Sequence, residues 1–251
     1  NNGNAWIPVD LPTEDGNDWA SLAWHALAIS VHPEDPQTLF IGGLELYRSI
    51  NGGESWSDLS EWDLMYYGGG PRYIHADIHQ INFKPNNYSA ITVTSDGGIF
   101  YSNNSSASSQ DIIFNERNKG YNTLQFYTCD ISPIEYGNIY VGGLQDNGTL
   151  VSGDLNDNDG EFDIMDMISG GDGAYCFFDD NDPLLITSTY YNYYFLFNME
   201  DNSYAYANGN SGVFINPSDY DSNNNILYAN KVRFNGNHAN KIVKIENINP
   251  N

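Results

Sequence analysis

The sequence is poor in basic residues, in cysteine and in long apolar runs. Nine Lys and Arg stand against thirty-three Asp and Glu, which gives a formal net charge of −24. A chain this negative repels the phosphates of nucleic acids and anionic lipid headgroups, so we exclude a nucleic-acid partner. The sequence also lacks a run of 18 apolar residues, so we predict no insertion into a membrane.

The acidity itself leaves two interpretations open. It is typical of a soluble extracellular surface, and it also suits a protein that binds cations. The two cysteines give little information about the redox compartment. Cys129 and Cys176 precede equivalent strand positions in neighbouring repeats, where we expect buried apolar side chains rather than a disulfide bridge.

The segment SINGGESW, Ser49 to Trp56, is the most informative stretch that is present. Asn51 can accept hydrogen bonds from the backbone amides that follow it, and Gly52 and Gly53 can adopt the positive φ angles of a tight turn. Trp56 supplies a large apolar anchor for the outgoing strand. The segment therefore predicts two strands joined by a glycine turn.

A pattern of strand, Pro or Asn turn, strand, glycine turn and strand recurs along the chain. Three clear copies begin at Ile29, Ile81 and Ile131, and two weaker copies begin at Phe177 and Tyr220. Their spacing falls from about 52 to about 43 residues, which is typical of a four-stranded propeller blade. We predict an all-β fold: a β-propeller of four-stranded antiparallel blades. About five blades form one domain over residues 1–251, with repeats that start near residues 24, 76, 124, 173 and 213.

The first residues repeat half of the glycine-turn segment. In NNGNAW, Asn1, Gly3 and Trp6 keep the spacing of Asn51, Gly53 and Trp56. We therefore expect residues 1–6 to end a preceding blade. Because a propeller must close to remove its strand edges, we expect the five blades to belong to a larger propeller in a longer parent chain. Closure by five blades alone is the alternative.

The blade pattern also predicts which loops share a face. With strands A to D in each blade, the D-to-A loops and the B-to-C turns lie at one mouth, and the glycine turns lie at the other. The B-to-C turns carry Glu45, Asp96 and Asp146, and the D-to-A loops are rich in glycine and aromatic residues. Aromatic rings beside carboxylates suit a carbohydrate. The predicted binding residues are Trp24, His25, Tyr66, Tyr67, Tyr73, Asp77, Tyr121 and Gln125. A turn-stabilising role for Asp96 and Asp146 is the simpler alternative.

The segment HADIH, His75 to His79, is a candidate metal site. On a strand, alternation would place His75, Asp77 and His79 on one face, where imidazole and carboxylate groups can bind a divalent metal. The alternative is a hydrogen-bonded lining of the propeller channel, in which Asp77 orients the two histidines.

A second candidate for cation binding is the acidic segment from Ser152 to Asp163. If Gly160 is placed at position six of a calcium-binding loop, Leu155 falls at the first ligand position and Asp166 replaces the usual glutamate. We therefore predict an enlarged turn between strands. A surface calcium site remains an open alternative, and calcium or another divalent metal is the candidate cofactor.

Several of these segments resemble a known family of repeats. SINGGESW matches the form S-x-(D/N)-x-G-x-x-W and resembles the Asp-box, or bacterial neuraminidase repeat, with Ser49, Asn51, Gly53 and Trp56 as its structural residues. HADIHQINFKPNN, TSDGGIFYS, GYNTLQFY and GGLQDNGT resemble secreted bacterial glycosidase-like propellers, which are similar to sortilin-type receptors and to the xyloglucanases of glycoside hydrolase family 74. The resemblance covers about Trp24 to Tyr175.

This resemblance implies an extracellular or cell-surface protein and two functions. In family 74 a catalytic carboxylate lies in a segment of the form T-D-x-G-G-x-Y, which Asp96 in TSDGGIFY resembles with one residue fewer before the glycines. Asp146 and Asp172 are the candidates for a second catalytic carboxylate. The first hypothesis is a recognition or adhesion module that binds a polysaccharide or a cell-surface protein. The alternative is a glycoside hydrolase of β-glucan or xyloglucan type that uses paired carboxylates.

Overall fold

The computed structural model describes residues 6–14, 17–19, 21–121, 124–133, 137, 139–152, 165–209, 211–232 and 240–248. These residues form β-strands, connecting turns and one 3-10 helix of six residues, Trp62–Tyr67. The chain divides into two compact units, Asn1–Tyr121 and Asn122–Asn251.

The first unit contains two four-stranded antiparallel sheets. A short hairpin, β1 (Thr13–Glu14) and β2 (Asn17–Asp18), precedes them. The first sheet consists of β3 (Ala28–His32), β4 (Asp35–Gly42), β5 (Leu46–Ser49) and β6 (Ser57–Asp58). The second sheet consists of β7 (Ile78–Lys84), β8 (Asn87–Ser95), β9 (Gly98–Ser102) and β10 (Asn115–Glu116).

The second unit continues the same arrangement. One four-stranded sheet consists of β11 (Phe126–Ile131), β12 (Tyr140–Leu144), β13 (Thr149–Ser152) and β14 (Asp166–Ser169). The next consists of β15 (Cys176–Phe178), β16 (Leu184–Ser188), β17 (Tyr193–Asn198) and β18 (Tyr204–Asn208). The last sheet has three strands in the described part of the chain: β19 (Ser218–Asp221), β20 (Ile226–Asn230) and β21 (Ile242–Glu246).

Every one of these sheets is a meander in which each strand pairs with the next strand along the chain. A four-stranded antiparallel meander is the blade unit of a β-propeller. The prediction of an all-β chain built from such blades is therefore confirmed. Alternation of buried and exposed residues supports it locally, since side chains of β17 alternate between full and partial burial.

Apolar residues from neighbouring sheets form a core within each unit. In the first unit, Phe40 and Leu46 of the first sheet are buried with Ile78, Ile91 and Phe100 of the second sheet. The second unit holds two such clusters, one that includes Val141, Cys176 and Leu185 and another that includes Tyr194 and Leu227. Within each unit the core therefore lies between that unit's own successive sheets, as stacked blades require.

A pair of glycines at the end of the second strand lets the next segment pack closely. A Cβ atom on Gly42 would lie 2.5 Å from Cγ2 of Ile78, and the amide of Ile78 donates a hydrogen bond to the carbonyl of Gly43 at 2.8 Å. In the second unit, a Cβ atom on Gly143 would lie 2.1 Å from the carbonyl oxygen of Ala174. The glycines of the two GGL segments, residues 42–44 and 142–144, thus allow close contact between sheets and do not form a turn.

The two cysteines are free thiols with different environments. Cys176 is buried, and desolvation raises the pKa of its thiol to about 12. Cys129 is exposed on β11, so the expectation that both cysteines are buried is wrong for Cys129. On the same strand Asp130 is partly exposed and Ile131 is exposed, whereas two of the three residues of β15 are buried.

Candidate functional site

Two histidines and one aspartate of the first unit meet at one end of its sheets. Nε2 of His25 lies 3.0 Å from Oδ2 of Asp96, and Nε2 of His79 is in hydrogen-bond contact with Oδ1 of the same carboxylate. The two imidazole rings stand edge to face, with their centroids 5.1 Å apart. We call these three residues the His–Asp cluster. Its potential ligand atoms all lie within 4.8 Å of one another.

A β-bulge in β7 directs His79 toward Asp96. Ile78 pairs with Ser95, and Gln80 pairs with Thr94. Because Thr94 and Ser95 are adjacent in β8, His79 is one extra residue in β7 between two paired positions. A bulge breaks the alternation of side chains and re-aims the inserted residue. His79 is exposed, whereas Ile78 beside it is fully buried.

Asp96 lies in a two-residue turn between β8 and β9, and Asn118 holds this turn in place. The side-chain amide of Asn118 donates to the carbonyl of Gly97 at 2.9 Å, and its oxygen accepts a hydrogen bond from the amide of Ile99 at 2.8 Å. Asn118 thus fixes both sides of the turn that carries Asp96. The sequence places it at the start of a D-to-A loop and gives no signal for this contact.

The structure corrects the predicted arrangement of His75, Asp77 and His79 on one strand face. Strand β7 begins at Ile78, and Asp77 precedes it with a φ of 65°, a left-handed conformation that Asp tolerates better than most residues. His75 is buried, and a Cβ atom on Gly97 would lie 2.3 Å from it. His79 therefore meets His25 at Asp96, and the three residues of HADIH do not share one strand face.

Asp77 lies close behind the cluster. The residue is only 8% exposed, and its Oδ1 atom has no hydrogen-bond partner within the part of the chain that the structure describes. Carboxylate oxygens of Asp77 and Asp96 approach within 4.8 Å. Burial, and then the charge of Asp96, raise the pKa of Asp77, and nearby imidazoles oppose this rise.

Trp24 is an exposed aromatic ring at the edge of the cluster. Its side chain is 82% exposed, and its ring centroid lies 5.4 Å from that of His25. Both residues precede β3, at the end of the first sheet where the β4–β5 turn also lies. An apolar plane thus stands beside hydrogen-bonding groups on one surface.

The other predicted aromatic residues fall into two groups. Tyr66 and Tyr67 are exposed at the end of the 3-10 helix, which lies in the loop between the first and second sheets, and Tyr121 is also exposed. Tyr73 instead packs against the core, with its ring 5.4 Å from that of Phe100, and burial raises its pKa to about 12. Gln125, in the second unit, is exposed, and its carbonyl accepts a hydrogen bond from the amide of Gln145.

The two other candidate carboxylates, Asp146 and Asp172, meet in the second unit. Asp146 occupies the β12–β13 turn with a φ of 58°, and its amide donates a hydrogen bond to Oδ1 of the buried Asp172 at 3.1 Å. Tyr127 lies near both, and its pKa is raised by burial and by their charges. Asp172 therefore supports the turn that carries Asp146.

Glu45 lies in the β4–β5 turn of the first sheet, at the position corresponding to Asp96. Its Oε1 accepts a hydrogen bond from the amide of Trp62 at 2.8 Å, and its Oε2 accepts one from the hydroxyl of Ser60. Desolvation outweighs these hydrogen bonds and raises the pKa of Glu45 to about 7. The sequence identifies the turn, but not this burial by the loop that follows β6.

The glycine turn from Ser49 to Trp56 lies at the opposite end of β5 from Glu45. The hydroxyl of Ser49 accepts a hydrogen bond from the amide of Gly53 at 2.9 Å, and Oδ1 of Asn51 accepts one from the amide of Ser55 at 3.0 Å. The indole of Trp56 donates to the carbonyl of Asp10 at 2.8 Å. These contacts stabilise a turn and leave the His–Asp cluster at the other end of the sheets.

Two sequence predictions lie outside the described residues. The half-turn NNGNAW falls mostly on residues 1–5, and the candidate calcium loop, Ser152 to Asp163, falls almost entirely on 153–164. No helix in the described ranges has the length and apolar character needed to cross a bilayer.

Comparisons with known proteins found similarity to solved structures only. No protein-family model and no curated protein matches the chain. Among solved structures, a family 74 enzyme from Niastella koreensis is 15% identical with a TM-score of 0.35 over 80% of this chain. The family 74 xyloglucanase from Xanthomonas campestris is 13% identical with a TM-score of 0.36 over 86% of this chain. Sqt1 from Chaetomium thermophilum is 9% identical with a TM-score of 0.34 over 80%.

The chain spans about half or less of the length of these proteins. The matched regions amount to 37%, 40% and 53% of the three proteins, in the same order. The all-β, blade-type fold described above rests on the strand pairing of this chain itself.

Proposed function

We propose that the chain is an extracellular or cell-surface recognition module that binds a glycan at the surface formed by Trp24 and the His–Asp cluster. The observation that carries this proposal is the indole of Trp24, which is 82% exposed beside His25. Sugar rings present apolar C–H faces that stack on aromatic planes, and their hydroxyl groups hydrogen-bond to carboxylates and imidazoles. Trp24 supplies the plane, and Asp96 supplies the acceptor.

The exposed tyrosines extend the proposed surface. Tyr66, Tyr67 and Tyr121 lie in or next to the loops that follow the fourth strand of each sheet in the first unit. Loops on a rigid scaffold commonly carry binding residues. The turn from Ser49 to Trp56, which we interpret as an Asp-box, then serves the scaffold at the opposite end.

A glycan array followed by calorimetry with the best ligand tests this proposal. We expect Trp24→Ala to weaken binding at least tenfold, because stacking on one aromatic ring contributes on the order of 1–3 kcal/mol. Trp6→Ala is the matched control, since Trp6 is 92% exposed and lies four residues before Asp10, which contacts the glycine turn. Equal loss in both variants, or no loss in either, would contradict the proposal. Selective binding of a protein instead of any glycan would also contradict it.

A glycoside hydrolase is the second candidate function, and one observation favours it. Asp77 and Asp96 approach within 4.8 Å, close to the separation of about 5–5.5 Å between the carboxyl groups of retaining glycosidases. In such a mechanism one carboxylate would attack the anomeric carbon, while the other group, as a protonated carboxylic acid, would give its proton to the leaving oxygen. Release of reducing ends from xyloglucan or β-glucan, abolished in Asp96→Asn, would support this function. Intact polysaccharide after long incubation would exclude it for these substrates.

A further inference from the structure

We propose that the His–Asp cluster binds one divalent transition-metal ion, with zinc as the preferred probe. The ligands would be Nε2 of His25, Nε2 of His79 and a carboxylate oxygen of Asp96. Two imidazoles and one carboxylate form a recurrent ligand set for zinc and related first-row metals. The inference does not depend on the proposed glycan, since it concerns the ion alone.

The spacing of the donor atoms suits a single small ion. Metal–nitrogen and metal–oxygen bonds to zinc are about 2.0–2.2 Å long, so two ligands of a tetrahedral ion lie about 3.4 Å apart. Nε2 of His25 and Oδ2 of Asp96 are 3.0 Å apart, and all three donors lie within 4.8 Å. Small rotations of exposed side chains would therefore complete the site.

The protonation of the two rings must change when the ion binds. When each ring carries its proton on Nε2, that N–H donates a hydrogen bond to an oxygen of Asp96. A metal ion needs the Nε2 lone pairs, so each ring would then carry its proton on Nδ1. The ion would replace two hydrogen bonds to Asp96 with three coordinate bonds.

Asp77 gives an independent reason to place a cation here. The residue is 8% exposed, and its Oδ1 atom is buried and has no hydrogen-bond partner among the described residues. A buried carboxylate oxygen without a partner is costly. Since oxygens of Asp77 and Asp96 lie within 4.8 Å, a cation bound by Asp96 would also neutralise Asp77 or take it as a fourth ligand.

The bulge at His79 and the left-handed backbone at Asp77 are both local irregularities that converge on this cluster. Bulges and unusual backbone angles concentrate at functional sites, where they aim particular side chains. A sheet that needed only regular pairing would require neither feature. Together they place the side chains of His79 and Asp77 near Asp96.

Calorimetric titration of the whole chain with zinc chloride, after removal of metals with a chelator, tests the proposal. We expect one zinc ion per chain in the micromolar range or tighter. His79→Gln and Asp96→Asn should each weaken binding at least tenfold. His32→Gln is the control, because His32 lies outside the cluster and contacts Phe83 and Tyr88 instead.

Two further measurements separate this site from general cation binding by an acidic surface. Cobalt in place of zinc should give the visible absorption of a tetrahedral site with nitrogen ligands, and His79→Gln should abolish that absorption. Calcium should not compete for the zinc, because it prefers six to eight oxygen ligands. The proposal is overturned if zinc binds weakly at many sites, if calcium displaces it, or if His79→Gln binds zinc as tightly as the native chain does.

Discussion

At the scale of single residues, the chemistry of this chain depends on contacts between residues that are far apart in the sequence. His25 and Asp96 are separated by 71 positions and lie in turns that adjoin different sheets, yet their side chains meet. The sequence identifies His25, His79 and the turn that contains Asp96 as candidates for a functional site. Which histidine reaches which carboxylate depends on how two sheets pack, so local spacing could not predict it.

Glu45 makes a residue-scale prediction about pH. Its pKa is raised to about 7 in the folded chain, so the folded state binds a proton that the unfolded state releases above its ordinary pKa of 4.5. The free energy of unfolding therefore falls as the pH rises from about 4.5 to 7. Because Glu45 is partly accessible, we expect its share of this loss to be on the order of 2 kcal/mol.

The variant Glu45→Gln should show directly how much unfolding free energy the ionisation of Glu45 removes. It cannot ionise, so we expect it to be more stable than the native chain at pH 8 and similar to it at pH 5. All five tryptophans lie in the first unit, so tryptophan fluorescence during urea unfolding reports on the unit that contains Glu45. Glu54→Gln removes an exposed charge and controls for net charge. The same stability difference at both pH values would show that burial of Glu45 does not control its ionisation.

At the scale of strands and turns, the repeat pattern predicted the strand–turn–strand units well, because glycine turns and alternating apolar residues are local signals. The bulge at His79 was not predictable, because it is a mismatch of register between β7 and β8. The glycines of the two GGL segments are evident in the sequence. Their close packing against Ile78 and Ala174 was not predictable, because it depends on a segment that is distant in the sequence.

The turn from Ser49 to Trp56 gives a prediction at this scale. The hydroxyl of Ser49 is buried and bonds to the amide of Gly53 and to the side chain of Asn51. Ser49→Ala leaves that amide without its partner, so we expect the first unit to lose about 1–2 kcal/mol of unfolding free energy. Ser57→Ala, at an exposed position of β6, should change it little. If both variants unfold at the native urea concentration, the serine is not a determinant of the turn.

At the scale of the whole molecule, the strong negative charge should limit stability in low salt. A net charge of −24 creates repulsion that is greatest in the compact state, and added salt screens it. We expect the melting temperature to rise by a few degrees between 20 and 300 mM sodium chloride, which corresponds to on the order of 1 kcal/mol. Potassium chloride should give the same curve. A rise in melting temperature with only one of the two salts would indicate specific binding of that salt's cation instead.

The central claim is that binding takes place at the end of the sheets where Trp24 and the His–Asp cluster lie, opposite the glycine turn. The indole N–H signals of the five tryptophans provide a direct test by NMR, once each is assigned with a Trp→Phe variant. During titration with the best glycan from the array, we predict that the Trp24 signal shifts and that those of Trp6 and Trp56 stay in place. Shifts of Trp6 or Trp56 with an unmoved Trp24 signal would place the ligand at the other end and contradict the account.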